Sequence, residues 1–196
     1  MFQIKEGDSI ILASESARRV DILRTLGISF SIVPPMIDES QRKDEPPINY
    51  VARISFEKAQ SVGVHFPDKW VVAADTVIVY KNRIMGKPKD ERDAFKMLKT
   101  LSGKWHKVIT GFCILNISKD KIYRDVVETK VFLREMSDGE ILRYINTSEP
   151  LGKAGSYAVQ GRGGYMVKEI KGSYSNVVGL PICELAEALL SLGVLS

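Results

Sequence analysis

The amino-acid sequence predicts an α/β protein, a mixed and strongly twisted sheet with flanking helices. Short continuous apolar runs such as 10–13 and 70–74 have the composition of buried strands. Between such runs lie stretches whose apolar residues recur every three or four positions, as on one face of a helix. Two long extended stretches, 105–116 and 121–133, then follow one another with no helix between them. That breaks the strand–helix alternation of a regular parallel sheet.

The elements follow in order. Residues 9–13 form a buried strand. Val20, Ile22, Leu23 and Leu26 share one face of a helix that starts at Val20 and that Gly27 stops. A second strand, 28–33, closes at Pro34-Pro35, and the polar stretch 36–47 reads as a loop. Pro47 suits a helix start, where its missing N–H costs nothing, and the helix runs to about Val62 with Val51, Ile54, Ala59 and Val62 inward. The strand 70–74 continues extended through Val77–Tyr80 to a turn at Lys81-Asn82-Arg83. Asp90 caps a helix that ends near Leu101 at Ser102-Gly103. After the two long strands, Ser137 with Glu140 is a capping-box pair opening a helix to about Ile145. A glycine-rich stretch, 155–164, leads to a strand at 165–170, a turn at Lys171-Gly172, and a last helix from Pro181 to Leu192.

The chain has 196 residues, 44% apolar and 27% charged, which fits one globular domain with a substantial core. A net charge of +4 permits an anionic ligand but, without a basic run or tail, does not call for nucleic acid. The two cysteines, Cys113 and Cys183, lie in apolar segments without metal spacing, so a reducing compartment is expected. No run reaches the length of a membrane span, and the N-terminus lacks signal-peptide character. The cytoplasm, with no membrane partner, is the expected location.

The most informative stretch joins the first strand to the first helix: Leu12-Ala13-Ser14-Glu15-Ser16-Ala17-Arg18-Arg19. A helix N-terminus offers free N–H groups and partial positive charge, and paired guanidiniums add forked donors suited to phosphate oxygens. The plain alternative is a cap by Ser14 or Ser16 followed by surface arginines. This is no P-loop, since the glycine spacing and the Lys-Ser/Thr pair are missing. Asp75 ends the apolar run 70–74, where a carboxylate needs a partner, a metal or a turn to cap. Asp38 and Glu39 sit just past a strand, and are either solvated or join Asp75 as hard oxygen ligands for Mg²⁺ or Mn²⁺. Lys87 is fixed between Gly86 and Pro88. Lys58, alone, reads as a solvated helix lysine. Lys153, Tyr157 and Gln160 lie where glycines permit close approach to a flat ligand, and the Gln160 amide has both a donor and an acceptor for a base edge. His65 and His106 lack ligand partners at useful spacing, Trp105 and Tyr174 read as packing residues, and no Gly-x-Ser-x-Gly elbow exists.

Taken together, Ser14 to Arg19, Asp38-Glu39, Ala74-Asp75-Thr76-Val77, Gly86-Lys87-Pro88, Leu101-Ser102-Gly103 with His106, Thr110-Gly111, Glu149-Pro150 with Lys153-Ala154-Gly155, and the run from Gly172 to Pro181 resemble the Maf family. The resemblance covers about residues 9–190. It implies a single domain over 1–196, two lobes around a cleft, with a fold like that of the inosine triphosphate pyrophosphatases. It implies hydrolysis of a nucleoside triphosphate to the monophosphate and pyrophosphate with a divalent metal, Mg²⁺ or Mn²⁺, and a homodimer. Ala74-Asp75-Thr76 with Gln160-Gly161 resembles the branch acting on dTTP and UTP. By that resemblance Asp75 is the catalytic acid/base and, with Glu39, a metal ligand. Ser14, Arg18, Arg19, Lys58, Thr76, Lys87 and Gln160 bind substrate, with Arg18, Thr76 and Gln160 selecting it. The family is also linked to septum formation, so a regulatory or binding protein of cell division is the alternative. Ala17 stands where many members have proline, and Glu15 where a small residue is common.

Overall fold

The computed structural model describes residues 2–196. Its order is β1 (Ile10–Ala13), α1 (Ala17–Arg24), β2 (Phe30–Ile32), α2 (Pro47–Gly63), β3 (Trp70–Tyr80), β4 (Arg83–Met85), α3 (Glu91–Leu101), β5 (Trp105–Asn116), β6 (Lys121–Leu133), α4 (Asp138–Ile145), β7 (Val167–Lys171), α5 (Tyr174–Val178) and α6 (Ile182–Ser191). Two short 3₁₀ turns, Ala154–Ser156 and Arg162–Met166, precede β7. The strands pair in the order β2-β1-β3-β5-β6-β7, with β4 added to β3. Parallel and antiparallel pairs occur together, so the mixed α/β class expected from the sequence is the class observed. Among the described residues, no helix is long and apolar enough to cross a membrane.

The chain divides into two compact units. The first comprises Met1–Asp75, Thr110–Val127 and Gly179–Ser196. Here β1 lies between β2 and β3, parallel to both, with Ile10 opposite Phe30 on one side and Trp70 on the other. A strand flanked on both edges and covered on both faces must be apolar throughout, and all four residues of β1 are buried. Ile11, Ala13, Ala59, Val62, Val71, Ala73, Cys113 and Leu115 form one core cluster. Helix α2 lies directly on β5. A Cβ at Gly111 would sit 2.5 Å from the Val51 carbonyl oxygen, so only glycine fits there.

The second unit comprises Thr76–Ile109 and Glu128–Val178. Its core joins Ile78, Leu98, Leu101, Val108, Val131, Leu133, Ile141, Tyr144, Tyr157 and Met166, among others. Asp90 caps α3 by accepting from the Asp93 N–H, and Ser137 with Glu140 closes the expected capping box on α4. Strand β7 runs antiparallel to β6, with Lys130 opposite Lys171.

Several expectations need correction. Helix α1 begins at Ala17, three residues before Val20, because its first turn is polar and has no apolar period to mark it. Neither serine caps it: Ser16 occupies the cap position without a side-chain hydrogen bond, and Ser14 Oγ accepts from the Ser16 N–H at 3.1 Å. Asp75 does not end a strand, since β3 runs unbroken from Trp70 to Tyr80. Strand β2 is only three residues long, and 162–166 is a 3₁₀ turn where a strand start was expected. Tyr174 is half exposed rather than packed. Helix α5 has one turn, too short for a period. It is held by Asn176, whose side-chain amide donates to the Val108 carbonyl and to Thr129 Oγ1.

Candidate active site

In the first unit, four of the predicted residues form a mixed-charge cluster. Lys58 is 5% exposed, and its ammonium lies 2.8 Å from Asp75 Oδ1 and 2.9 Å from Glu39 Oε1. Read by itself as a solvated helix lysine and by the family resemblance as a site residue, it is the buried centre of the cluster. The signal was present in the sequence. Lys58 lies four residues after Ile54 and four before Val62, on the face that α2 turns inward. A buried ammonium requires an anionic partner, and Asp75 supplies one from the middle of β3.

Arg19 extends the cluster. Its Nε donates to the Gly179 carbonyl at 2.8 Å. Burial lowers its pKa from the usual arginine value, the nearby Asp75 and Glu39 carboxylates oppose that fall, and the neighbouring Arg18 charge adds to it. Arg18 and Arg19 thus lie close enough to repel, which an incoming anion would relieve. Ser14 is buried at the end of β1, with its hydroxyl turned onto the next loop.

The Glu39 loop is tied to α2. Tyr50 Oη donates to the Glu39 carbonyl at 2.8 Å. Burial, together with Asp75 and Glu39, pushes the Tyr50 phenol up to about 12, so it stays a donor. Arg53 grips Glu45 with two bonds of 2.6 and 2.7 Å, reaches Glu57 at 3.0 Å, and donates to the Ser40 carbonyl. Sequence reading missed both residues, since neither lies in a motif that suggests chemistry. Of the two readings open for Asp38, the solvated one holds: it is exposed and does not join the acids. Its carboxylate accepts from Ser40 N and Oγ and closes its own turn.

Among the described residues, no group of three or more His, Cys, Asp or Glu side chains is placed to hold a metal ion. Glu39 and Asp75 nevertheless bring two carboxylate oxygens onto one cation, the Lys58 ammonium. Mg²⁺ typically takes one or two carboxylates and fills its shell with phosphate oxygens and water, so this donor pair fits.

Thr76, Lys87 and Gln160 belong to the second unit. Thr76 is half-buried in β3, while Lys87 and Gln160 are exposed. The Gly155 N–H donates to the Gly86 carbonyl at 3.1 Å, which joins the Lys87 turn to the glycine-rich segment carrying Gln160. Tyr157, in that segment, is buried with its hydroxyl 2.7 Å from His106 Nε2. His106, expected to be a plain strand histidine, is thus a buried anchor for that segment.

The family model described as Maf-like protein matches residues 9–192. A dTTP/UTP pyrophosphatase of Geotalea uraniireducens is 45% identical over 195 residues, covering 100% of each chain. One of Syntrophus aciditrophicus is 44% identical over 189 residues, 96% of this chain and 92% of its own. Among solved structures, the Staphylococcus aureus Ham1 protein is similar with a TM-score of 0.43 and 11% identity, over 63% of this chain and 72% of its own. Matched almost end to end by the family model and by full-length relatives, this chain belongs to the Maf-like protein family.

Proposed function

We propose that the protein is a nucleoside triphosphate pyrophosphatase acting on dTTP and UTP. The observation that carries the proposal is the cluster of Arg19, Lys58, Glu39 and Asp75, in which cations for a polyphosphate lie beside paired carboxylates. The relatives' activity points the same way, and no observation favours a regulatory role in its place.

Ser14, Arg18, Arg19, Lys58 and Lys87 bind the triphosphate. Guanidinium forks match its oxygens and offset the charge that builds on the leaving pyrophosphate. Asp75 orients a water for attack on the α-phosphorus and takes its proton. The water oxygen bonds to that phosphorus, the bond to the bridging oxygen breaks, and the monophosphate and pyrophosphate separate. Lys58 holds both carboxylates in place. Glu39 and Asp75 would hold Mg²⁺ or Mn²⁺, which when bound would supply positive charge to the phosphate oxygens. Arg18, Thr76 and Gln160 select the nucleotide, with the Gln160 amide on the carbonyl and N–H of the uracil or thymine edge. The same proposal takes the chain as one functional domain that works in the cytoplasm as a homodimer.

The test is product analysis over dTTP, UTP, CTP and GTP, with Mg²⁺ or Mn²⁺ and with a chelator. Pyrophosphate from dTTP and UTP, lost on chelation, is expected. Asp75→Asn keeps the shape and loses the charge, so turnover falls at least about a hundredfold. Stepwise release of orthophosphate, a preference for GTP, or near-normal turnover by the Asn variant would each overturn the assignment.

A further inference from the structure

The segment carrying Gln160 is wrapped around one carboxylate. Glu149 Oε2 accepts from Tyr144 Oη at 2.8 Å and from the Gly163 N–H at 2.9 Å, and Oε1 accepts from the Arg162 N–H at 3.0 Å. The Tyr144 hydroxyl in turn accepts from the Ala158 N–H at 3.2 Å. Backbone groups two residues before Gln160 and two and three after it are therefore pinned to a single pair of side chains. Both side chains lie directly against the loop backbone. A Cβ at Gly161 would lie 2.0 Å from Glu149 Oε1, and one at Gly163 would lie 2.6 Å from Tyr144 Oη. Burial acts to raise the Glu149 pKa, but hydrogen bonds from Tyr144, Gly163 and Arg162 outweigh it and hold the pKa below the usual value. All three bonds to the carboxylate need an acceptor, which an ionised glutamate provides at both oxygens. Gln160 itself stays exposed at the tip of this clamped loop.

We infer that Glu149, with Tyr144, is a positioning residue for nucleotide selection: it fixes the distance at which Gln160 meets a base. The inference rests on the base-reading role proposed above for Gln160. Its physical content is a matter of length. Uracil and hypoxanthine both present a carbonyl beside an N–H, so a glutamine amide pairs equally well with either edge. What differs is how far that edge stands from the sugar, because a purine interposes a second ring. A rigid loop separates the two by reach, whereas a loose loop accepts both.

Glu149→Gln replaces one acceptor oxygen by an amide that confronts a backbone N–H, without changing size. With UTP and ITP as substrates, the ratio of kcat/KM for UTP over ITP should fall about tenfold, in line with the loss of one charged hydrogen bond. The change should lie mainly in KM. Adding Glu149→Gln to Gln160→Ala should cost no further selectivity, because residues acting through one contact are not additive. If Glu149→Gln folds poorly, Tyr144→Phe removes the hydroxyl from the same clamp and should lower the ratio in the same direction. A purely structural role would lower thermal stability and leave the ratio unchanged, and that result would overturn the clamp alone. Selectivity losses that add in the double variant would also overturn it. A wild-type enzyme that releases pyrophosphate from neither UTP nor dTTP would overturn the activity, and this inference with it.

Discussion

Lys58 shows how much one residue depends on its surroundings. It lies on the inward face of α2, and its charge is tolerated only because Asp75 and Glu39 meet it. Removing one partner of a buried pair leaves the other charge desolvated, which costs about 3–5 kcal/mol, while removing both costs far less. Lys58→Met should therefore lower unfolding free energy in urea by about 3 kcal/mol, and the Lys58→Met/Asp75→Asn double variant should regain most of that loss. A double variant no more stable than Lys58→Met would show that the pair is not the source of the cost.

At the scale of elements, the approach of α2 to β5 sets the geometry of the first unit. Helix α2 carries Lys58 and the Tyr50 and Arg53 groups that hold the Glu39 loop, so its seat on the sheet places three of the cluster's contacts. That seat requires the bare backbone of Gly111. Gly111→Ala pushes a methyl against the Val51 peptide and should destabilise the protein by about 1–3 kcal/mol, as overpacking does. Because the shift falls on α2, activity at a temperature where the variant stays folded should drop as well, measured as pyrophosphate release. Full activity with lowered stability would mean that the helix position is not critical to the site. Elements with strong local signals were legible. Asp90, the Ser137–Glu140 pair and the Pro47 start all mark helices found where expected. Helix α5 and the first turn of α1 were not: α5 is a single turn held by the Asn176 amide on Val108 and Thr129, and the first turn of α1 has no apolar period to mark it.

For the molecule as a whole, pH sensitivity follows from His106. Burial lowers its pKa from 6.5 to about 4, partly opposed by the Lys104 carbonyl. The unfolded chain binds this proton near pH 6.5 and the folded chain does not until about pH 4, so stability is full above the unfolded value and falls as pH drops through that window. The total is on the order of 3 kcal/mol. Urea midpoints should decline from pH 7 to pH 4.5 in the wild type and decline less in His106→Gln. Equal slopes would show that another group controls the acid limb. The downward pull on Glu45, to about 2, acts lower, as its stabilisation is lost when pH falls from about 4.5 towards 2.

The sequence by itself determined the mixed α/β class, most helix boundaries and the residue types on offer for phosphate and metal. Those depend on local pattern: apolar period, cap chemistry, and charge next to a turn. Only the tertiary structure decided which of these groups meet. It buried Lys58 between two acids, turned Asp38 away from them, ran β3 straight through Asp75, and wound the Gln160 loop around Glu149. The physical reason is that a charge's partner is set by which elements pack together, and residues 13 or more apart in the chain carry no local signal of that contact.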